Sequence, residues 1–191
     1  MNTHSERKAS EQKSKSSLCV EDPPQLAAGR FSEEPEGKRF IADAMLGKLA
    51  RWMRTLGYDV EYEKSIGDEE LVKRALDEDR LIITRDTLLI KRRKVRGRFF
   101  FVKSDEAAGQ LKEITGQFKP PEGLFLTRCL RCNTALIDAD KKDMEGKVPP
   151  YVFKTQEHFS VCTRCGRIYW GGTHRARMVE ELERMLKGEG G

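Results

Sequence analysis

Leu81-Ile82-Ile83-Thr84-Arg85-Asp86 decides how the chain is read. It is a short apolar run, rich in β-branched residues, that stops abruptly at threonine, arginine and aspartate. A buried strand of a parallel sheet has this pattern, apolar on both faces and polar only where it emerges. In open α/β sheets, ligands bind beyond the carboxyl ends of the strands. Phe40-Ile41-Ala42-Asp43 repeats the form, an apolar strand that ends at an aspartate.

Working outward, strands alternate with helices. After Asp43, Leu46, Leu49, Ala50, Met53 and Leu56 recur at three- and four-residue steps, which predicts an amphipathic helix closed by Gly57. Tyr58 to Tyr62 alternates as a second strand. A helix begins near Asp68 and buries Leu71, Val72, Ala75 and Leu76, with acidic residues in its first turn where the helix dipole favours them. Beyond Asp86, Thr87 to Val95 reads as a basic helix and Arg98 to Val102 as a fourth strand. Ser104-Asp105 then caps a helix carrying Ala107, Ala108, Leu111 and Ile114. Four strand–helix alternations predict an α/β fold, a parallel sheet flanked by helices.

The flanking segments differ in character. Residues 1–38 are rich in Ser, Lys, Glu, Gln and Pro with few bulky apolar residues, so a disordered tail is expected there, with Cys19 alone in it. Residues 39–123 hold the parallel sheet, and Pro120-Pro121 marks its end. Residues 124–191 are a smaller module with two Cys-x-x-Cys pairs, Cys129/Cys132 and Cys162/Cys165, and a final amphipathic helix from His174 to Lys187. Four thiolates in paired turns are the ligand set of a closed, structural zinc site, with a redox pair or two disulfides as the competing readings. The 29 residues between Cys132 and Cys162 predict an elaborated loop between the knuckles.

Composition sets outer limits. Charged residues make up 35% of the 191-residue chain, apolar residues 38%, and the net charge is +5, which permits a nucleic-acid partner. No run approaches the roughly 18 to 20 apolar residues of a membrane span. No apolar signal segment opens the chain, so the expectation is a cytoplasmic protein whose cysteines stay reduced.

Asp43, Asp86 and Asp105 each follow an apolar strand and Asp68 opens a helix, so all four converge on one rim of the predicted sheet. Clustered carboxylates repel unless cations lie between them, and hard ions such as Mg²⁺ or Mn²⁺ take carboxylate oxygens. Each aspartate alone also reads as a helix cap or turn residue. The cationic run from Lys91 through Arg92, Arg93, Lys94 and Arg96 to Arg98 lies between Asp86 and Asp105. With Arg51, Arg54 and Arg85 it offers contacts to a phosphate backbone. Arginines at these places also serve as partners for acids. His174 reads either as a positioning group in the cysteine module or as a surface residue.

Ile-Ala-Asp43, Leu49-Ala-Arg-Trp-Met-Arg-Thr-Leu-Gly57, Gly67-Asp68, Thr84-Arg-Asp86, Ser104-Asp105, Arg128-Cys-Leu-Arg-Cys-Asn133 and Cys162–Cys165 leading into Tyr169-Trp170-Gly-Gly-Thr-His174 together resemble the Mut-seven C-terminal domain family. These are PIN-type ribonuclease domains with an appended zinc ribbon, and the resemblance spans about residues 39–180. It implies a PIN-like fold, RNA cleavage and an acidic Mg²⁺ or Mn²⁺ site of Asp43, Asp68, Asp86 and Asp105. Glu69 is a second candidate for the Asp68 position. The rival from another class is a non-catalytic zinc-ribbon RNA-binding module. A phosphotransfer domain fits less well, because Asp43 is followed by Ala44-Met45 without a second aspartate.

Overall fold

In the computed structural model, which describes residues 37–187, Leu81–Thr84 forms the strand β3 at the centre of a four-stranded parallel sheet. The other strands are β1 (Phe40–Ala42), β2 (Val60–Tyr62) and β4 (Phe99–Phe101), in the order β2-β1-β3-β4. The pairings Phe40 with Leu81 and Ile82 with Phe99 set the register, so β1 and β3 end side by side. The expected disordered tail and Cys19 lie outside the described residues.

Alternation along the strands builds two cores. Phe40, Ala42 and Ile83 face one side, where α1 (Gly47–Thr55) and α3 (Ala107–Gln117) bury Leu49, Met53, Leu111 and Ile114. Ile41 and Ile82 face the other side and meet Leu71, Val72 and Ala75 of α2 (Asp68–Asp77). Gly57 closes α1 at φ +90, and a Cβ there would lie 2.4 Å from the Leu124 carbonyl oxygen. Only glycine fits that turn.

The second half folds around a three-stranded antiparallel sheet, β5 (Leu136–Ala139), β6 (Phe159–Cys162) and β7 (Ile168–Trp170), in that order. The long connection from β5 to β6 holds a short helix, α4 (Pro150–Thr155), which covers one sheet face through Val152 and Phe153 around Met144, Val148 and Phe159. The last helix, α5 (Thr173–Lys187), returns to the first core and buries Leu182 there. Among the described residues, no helix is long and apolar enough to cross a membrane.

Four local expectations change. Leu76, expected on the buried stripe of α2, is exposed, because Leu71, Val72 and Ala75 already fill the face turned to the sheet. Thr87 to Val95 is not a helix but two single 3₁₀ turns, Leu89–Lys91 and Arg93–Val95. Leu89 and Val95 both need burial against the α2 side, and a continuous helix would stack like charges at helical spacing. The cap of α3 is Glu106, not Ser104-Asp105; the Ser104 hydroxyl instead accepts the Glu106 N–H at 3.2 Å. β2 starts at Val60, because the Tyr58 side chain is buried and its hydroxyl donates to the Phe118 carbonyl.

Candidate active site and metal centre

Each strand end delivers a polar group to the carboxyl rim. The ladder continues one residue past β1, where the Asp43 N–H donates to the Ile83 carbonyl at 2.9 Å. That bond fixes Asp43 beside the end of β3 and leaves it only 7% exposed. The buried Thr84 hydroxyl donates to Oδ2 of Asp43 at 2.6 Å and accepts the Asp86 N–H at 2.9 Å. One hydroxyl therefore joins two rim aspartates, and because it accepts from Asp86 its proton points to Asp43. Oδ1 of Asp86 accepts the Leu88 N–H at 2.7 Å. Oδ1 of Asp43 and Oδ2 of Asp86 are left without a protein partner among the described residues.

The other two aspartates are held by arginines. Oδ2 of Asp68 accepts from Arg92 at 2.6 Å, and Oδ1 of Asp105 accepts from Arg85. Glu69 is exposed and faces a cleft shared with Val72, Arg92 and Arg93. Among the described residues, the cysteines are the group of metal-ligating side chains gathered within metal-binding distance; the four aspartates do not close into such a group. Asp105 and Asp68 are thus each paired with an arginine, Arg85 and Arg92. The Nε of Arg85 is buried without a partner, so its guanidinium retains an unused donor.

Sequence reading missed two supports of this rim, Thr84 and Tyr62. A threonine at the last position of an apolar strand was the available signal for the first. The Tyr62 hydroxyl donates to the Ala44 carbonyl at 3.0 Å and braces the turn after Asp43. It passes over Gly47, where a Cβ would lie 2.5 Å from that oxygen.

The cysteines form the second centre. Sγ–Sγ distances are 3.5 Å for Cys129–Cys132, 3.6 Å for Cys129–Cys165 and 3.3 Å for Cys132–Cys162, and all four sulfurs lie within 4.8 Å of one another. Tetrahedral zinc with bonds of about 2.3 Å sets its sulfurs about 3.8 Å apart, so the set fits zinc. The knuckles are built alike. Asn133 (φ 67) and Gly166 (φ 68) take left-handed conformations after the second cysteine of each pair. Their N–H groups return to the carbonyls of Cys129 and Cys162, both at 2.9 Å. Burial alone would push the Cys129 thiol up. The Tyr169 hydroxyl at 3.1 Å and the hydrogen bonds of the first knuckle outweigh it and bring the thiol down to about 6. Burial, and then the bond to Cys129, push Tyr169 up.

The first knuckle is docked on β2, the edge of the parallel sheet. The side-chain oxygen of Asn133 accepts the Val60 N–H at 3.0 Å, and its amide nitrogen donates to Asp59 at 2.7 Å and Glu61 at 3.3 Å. Arg54 donates to the Val60 carbonyl at 2.8 Å and to the Leu130 and Arg131 carbonyls at 3.2 and 2.9 Å. Arg54 is 2% exposed. It is therefore not a phosphate contact, as expected above, but the strut between sheet and knuckle. Burial draws its guanidinium down, opposed by the nearby negative charge of Glu61, the cysteines and Asp59. Arg51, Lys91, Arg92 and Arg93 are exposed, and so is His174 at the start of α5.

The family model described as the Mut7-C RNAse domain matches residues 38–182. The chain belongs to the Mut7-C RNAse domain family. No match is found among curated proteins or among solved structures. The match to this Mut7-C domain runs from before β1 into α5, so parallel sheet and cysteine knuckles both lie inside one family unit. Family membership points to a ribonuclease-like function with RNA as the substrate.

Proposed function

We propose that the protein is a divalent-metal-dependent ribonuclease of PIN type, working at the carboxyl rim of the parallel sheet. The observation that carries this reading is the Thr84 bridge, which aligns Asp43 and Asp86 and leaves an oxygen of each available. Asp43 and Asp86, with Asp68 (or Glu69) and Asp105, would hold Mg²⁺ or Mn²⁺. Such an ion lowers the pKa of a water and offsets charge on the phosphoryl oxygens.

The chain's own groups do the rest. Thr84 keeps Oδ2 of Asp43 occupied, so the carboxylate presents Oδ1. Arg85 and Arg92 hold Asp105 and Asp68 and would be released toward phosphate if a cation took those carboxylates. Arg51, Lys91 and Arg93 supply exposed charge for the RNA backbone. In-line attack by water releases a 5′-phosphate and a 3′-hydroxyl. On this reading residues 39–123 are the nuclease domain, and residues 124–191 are a structural zinc ribbon with a C-terminal helix that helps hold RNA. Reduced, zinc-ready thiols fit the cytoplasm.

The test is cleavage of labelled single-stranded RNA with Mn²⁺ by wild type, Asp43→Asn and Asp86→Asn. Each substitution is expected to lower the rate at least about 100-fold, the loss typical of removing a group that organises transition-state charge. Equal cleavage by all three overturns the site. Binding without cleavage under any condition favours the non-catalytic RNA-binding module, the reading that the arginine-held Asp68 and Asp105 support.

A further inference from the structure

The crossover from β3 to β4 leaves the carboxyl rim at Asp86 and reaches the amino end of β4 at Phe99, so its cations descend the flank of the sheet. Arg92 is at the rim, bonded to Asp68. Arg93 and Lys94 line a cleft of about 630 Å³ against α2, beside Lys73. Arg96 and Arg98 line a second cleft of about 510 Å³ at the opposite end of the strands, with Lys38, Arg39, Arg80 and Asp79. Both volumes are in the ligand-site range of roughly 300–1,000 Å³.

Among the described residues, the charges of the second cleft do not cancel. Arg80 is committed to Asp59 and Glu78, and Arg98 to Asp79, the single acid lining the cleft among the described residues. Lys38 lies 5.4 Å over the Phe118 ring. Arg39 and Arg96 remain, both exposed and without an acidic or hydrogen-bonding partner among the described residues. Two guanidiniums facing one cleft repel each other unless an anion enters. Each offers a planar, multi-donor fork suited to phosphate oxygens.

We infer that this amino-end cleft is a second subsite for the RNA phosphodiester backbone, reached along the Arg92–Arg98 track by a strand that extends past the rim. The inference rests on the ribonuclease reading above. With a strand rise of about 3.3 Å per residue, the three- and four-residue strands separate rim and cleft by more than one nucleotide step. Only RNA longer than the rim can occupy both, so the cleft sets a length preference and reads no sequence.

Full-length, zinc-loaded protein without added Mg²⁺ or Mn²⁺ would be titrated with labelled single-stranded RNA of about 4 and about 14 nucleotides, spanning common single-strand site sizes. Wild type gains affinity with length. The Arg39→Ala/Arg96→Ala double variant is expected to lose at least fivefold of that gain. Its salt slope for the longer RNA should fall by about 1.4, from about 0.7 per contact on a single strand. Arg39→Lys/Arg96→Lys, which keeps charge, should retain most of the slope and serves if the alanine variant folds poorly. An unchanged length gain and slope in the alanine variant, or equal weakening for both lengths, overturns the subsite. Wild type that cleaves RNA in the Mn²⁺ assay above, while both double variants bind both RNA lengths as wild type does, removes the cleft and leaves the ribonuclease reading intact. Wild type that binds neither RNA removes both.

Discussion

Asn133 and Asp43 both sit at margins of the same parallel sheet, and the structure treats them oppositely. Around Asn133 nearly every polar group is answered: its oxygen, amide nitrogen, N–H and carbonyl all have partners, and Arg54 serves three carbonyls. Around Asp43 and Asp86 one oxygen of each is held and the other is free among the described residues. A polar network paired this densely, with only Arg54 Nη2 buried and unpartnered among its described groups, fixes how the first knuckle sits on the sheet. The half-answered carboxylates of the rim are what the proposed metal site would use. On the proposed reading, the contrast separates architecture from chemistry, and the four cysteines, which could hold zinc, belong to the first.

The largest effect should come from the thiolates. Cys162→Ala removes a ligand from a closed site, and structural zinc contributes on the order of 10 kcal/mol to the folding of small domains. The variant should lose stoichiometric zinc and its cooperative thermal transition, read by metal analysis and calorimetry. A variant that keeps its melt without zinc would break the architectural half of the contrast.

Asn133→Ala comes next. It strands the Val60 N–H, weakens the hold on Asp59 and Glu61, and puts alanine into a left-handed conformation. At about 1–3 kcal/mol for each buried group left unpaired, with about 1 kcal/mol more for the backbone, a loss of about 3 kcal/mol is expected in urea unfolding. Zinc content should stay near wild type, which would show that docking and ligation are separable.

Asp59 sharpens the same side. Burial alone would raise its carboxyl, but hydrogen bonds from Arg80 and Asn133 and the charges of Arg80 and Arg128 hold it below the ordinary 3.8. A carboxyl lowered in the folded state stabilises the protein above its unfolded pKa and loses that contribution as pH falls through the folded value. Stability should therefore drop on the acid side of about pH 4, and Asp59→Asn should flatten that part of the curve.

The smallest stability effect belongs to the rim. Thr84→Val keeps the shape but strands Oδ2 of the buried Asp43 and the half-buried Asp86 N–H, and should cost about 2 kcal/mol. RNA cleavage should fall about tenfold or more, because Asp43 is no longer oriented. A large stability loss without a change in cleavage would reverse the assignment of the two regions.

How much of this could be read in advance varied with the range of the interaction. The strands were legible because parallel strands must be apolar on both faces, and Leu81–Thr84 and Phe40–Ala42 are. The zinc set was legible because Cys-x-x-Cys spacing is local. Thr87 to Val95 was not, because the need to bury Leu89 and Val95 overrode its helix-like composition. β5 and α4 passed unnoticed, since Leu136–Ala139 and Pro150–Thr155 are too short to show a period. Arg54 was taken for a phosphate contact although it stands four residues after Ala50, on the buried stripe of α1. The Asn133 dock depends on partners more than 70 positions away, which no local pattern carries. The aspartates were legible as strand-end residues, but their arginine partners were not.

The most direct measurement is calorimetric titration of Mn²⁺ into zinc-loaded wild type and Asp43→Asn, without RNA. Saturable Mn²⁺ binding by wild type, weakened at least tenfold in Asp43→Asn with zinc content unchanged, is what a rim built to hold a divalent ion predicts. Absence of Mn²⁺ binding, or equal binding by both proteins, would contradict it.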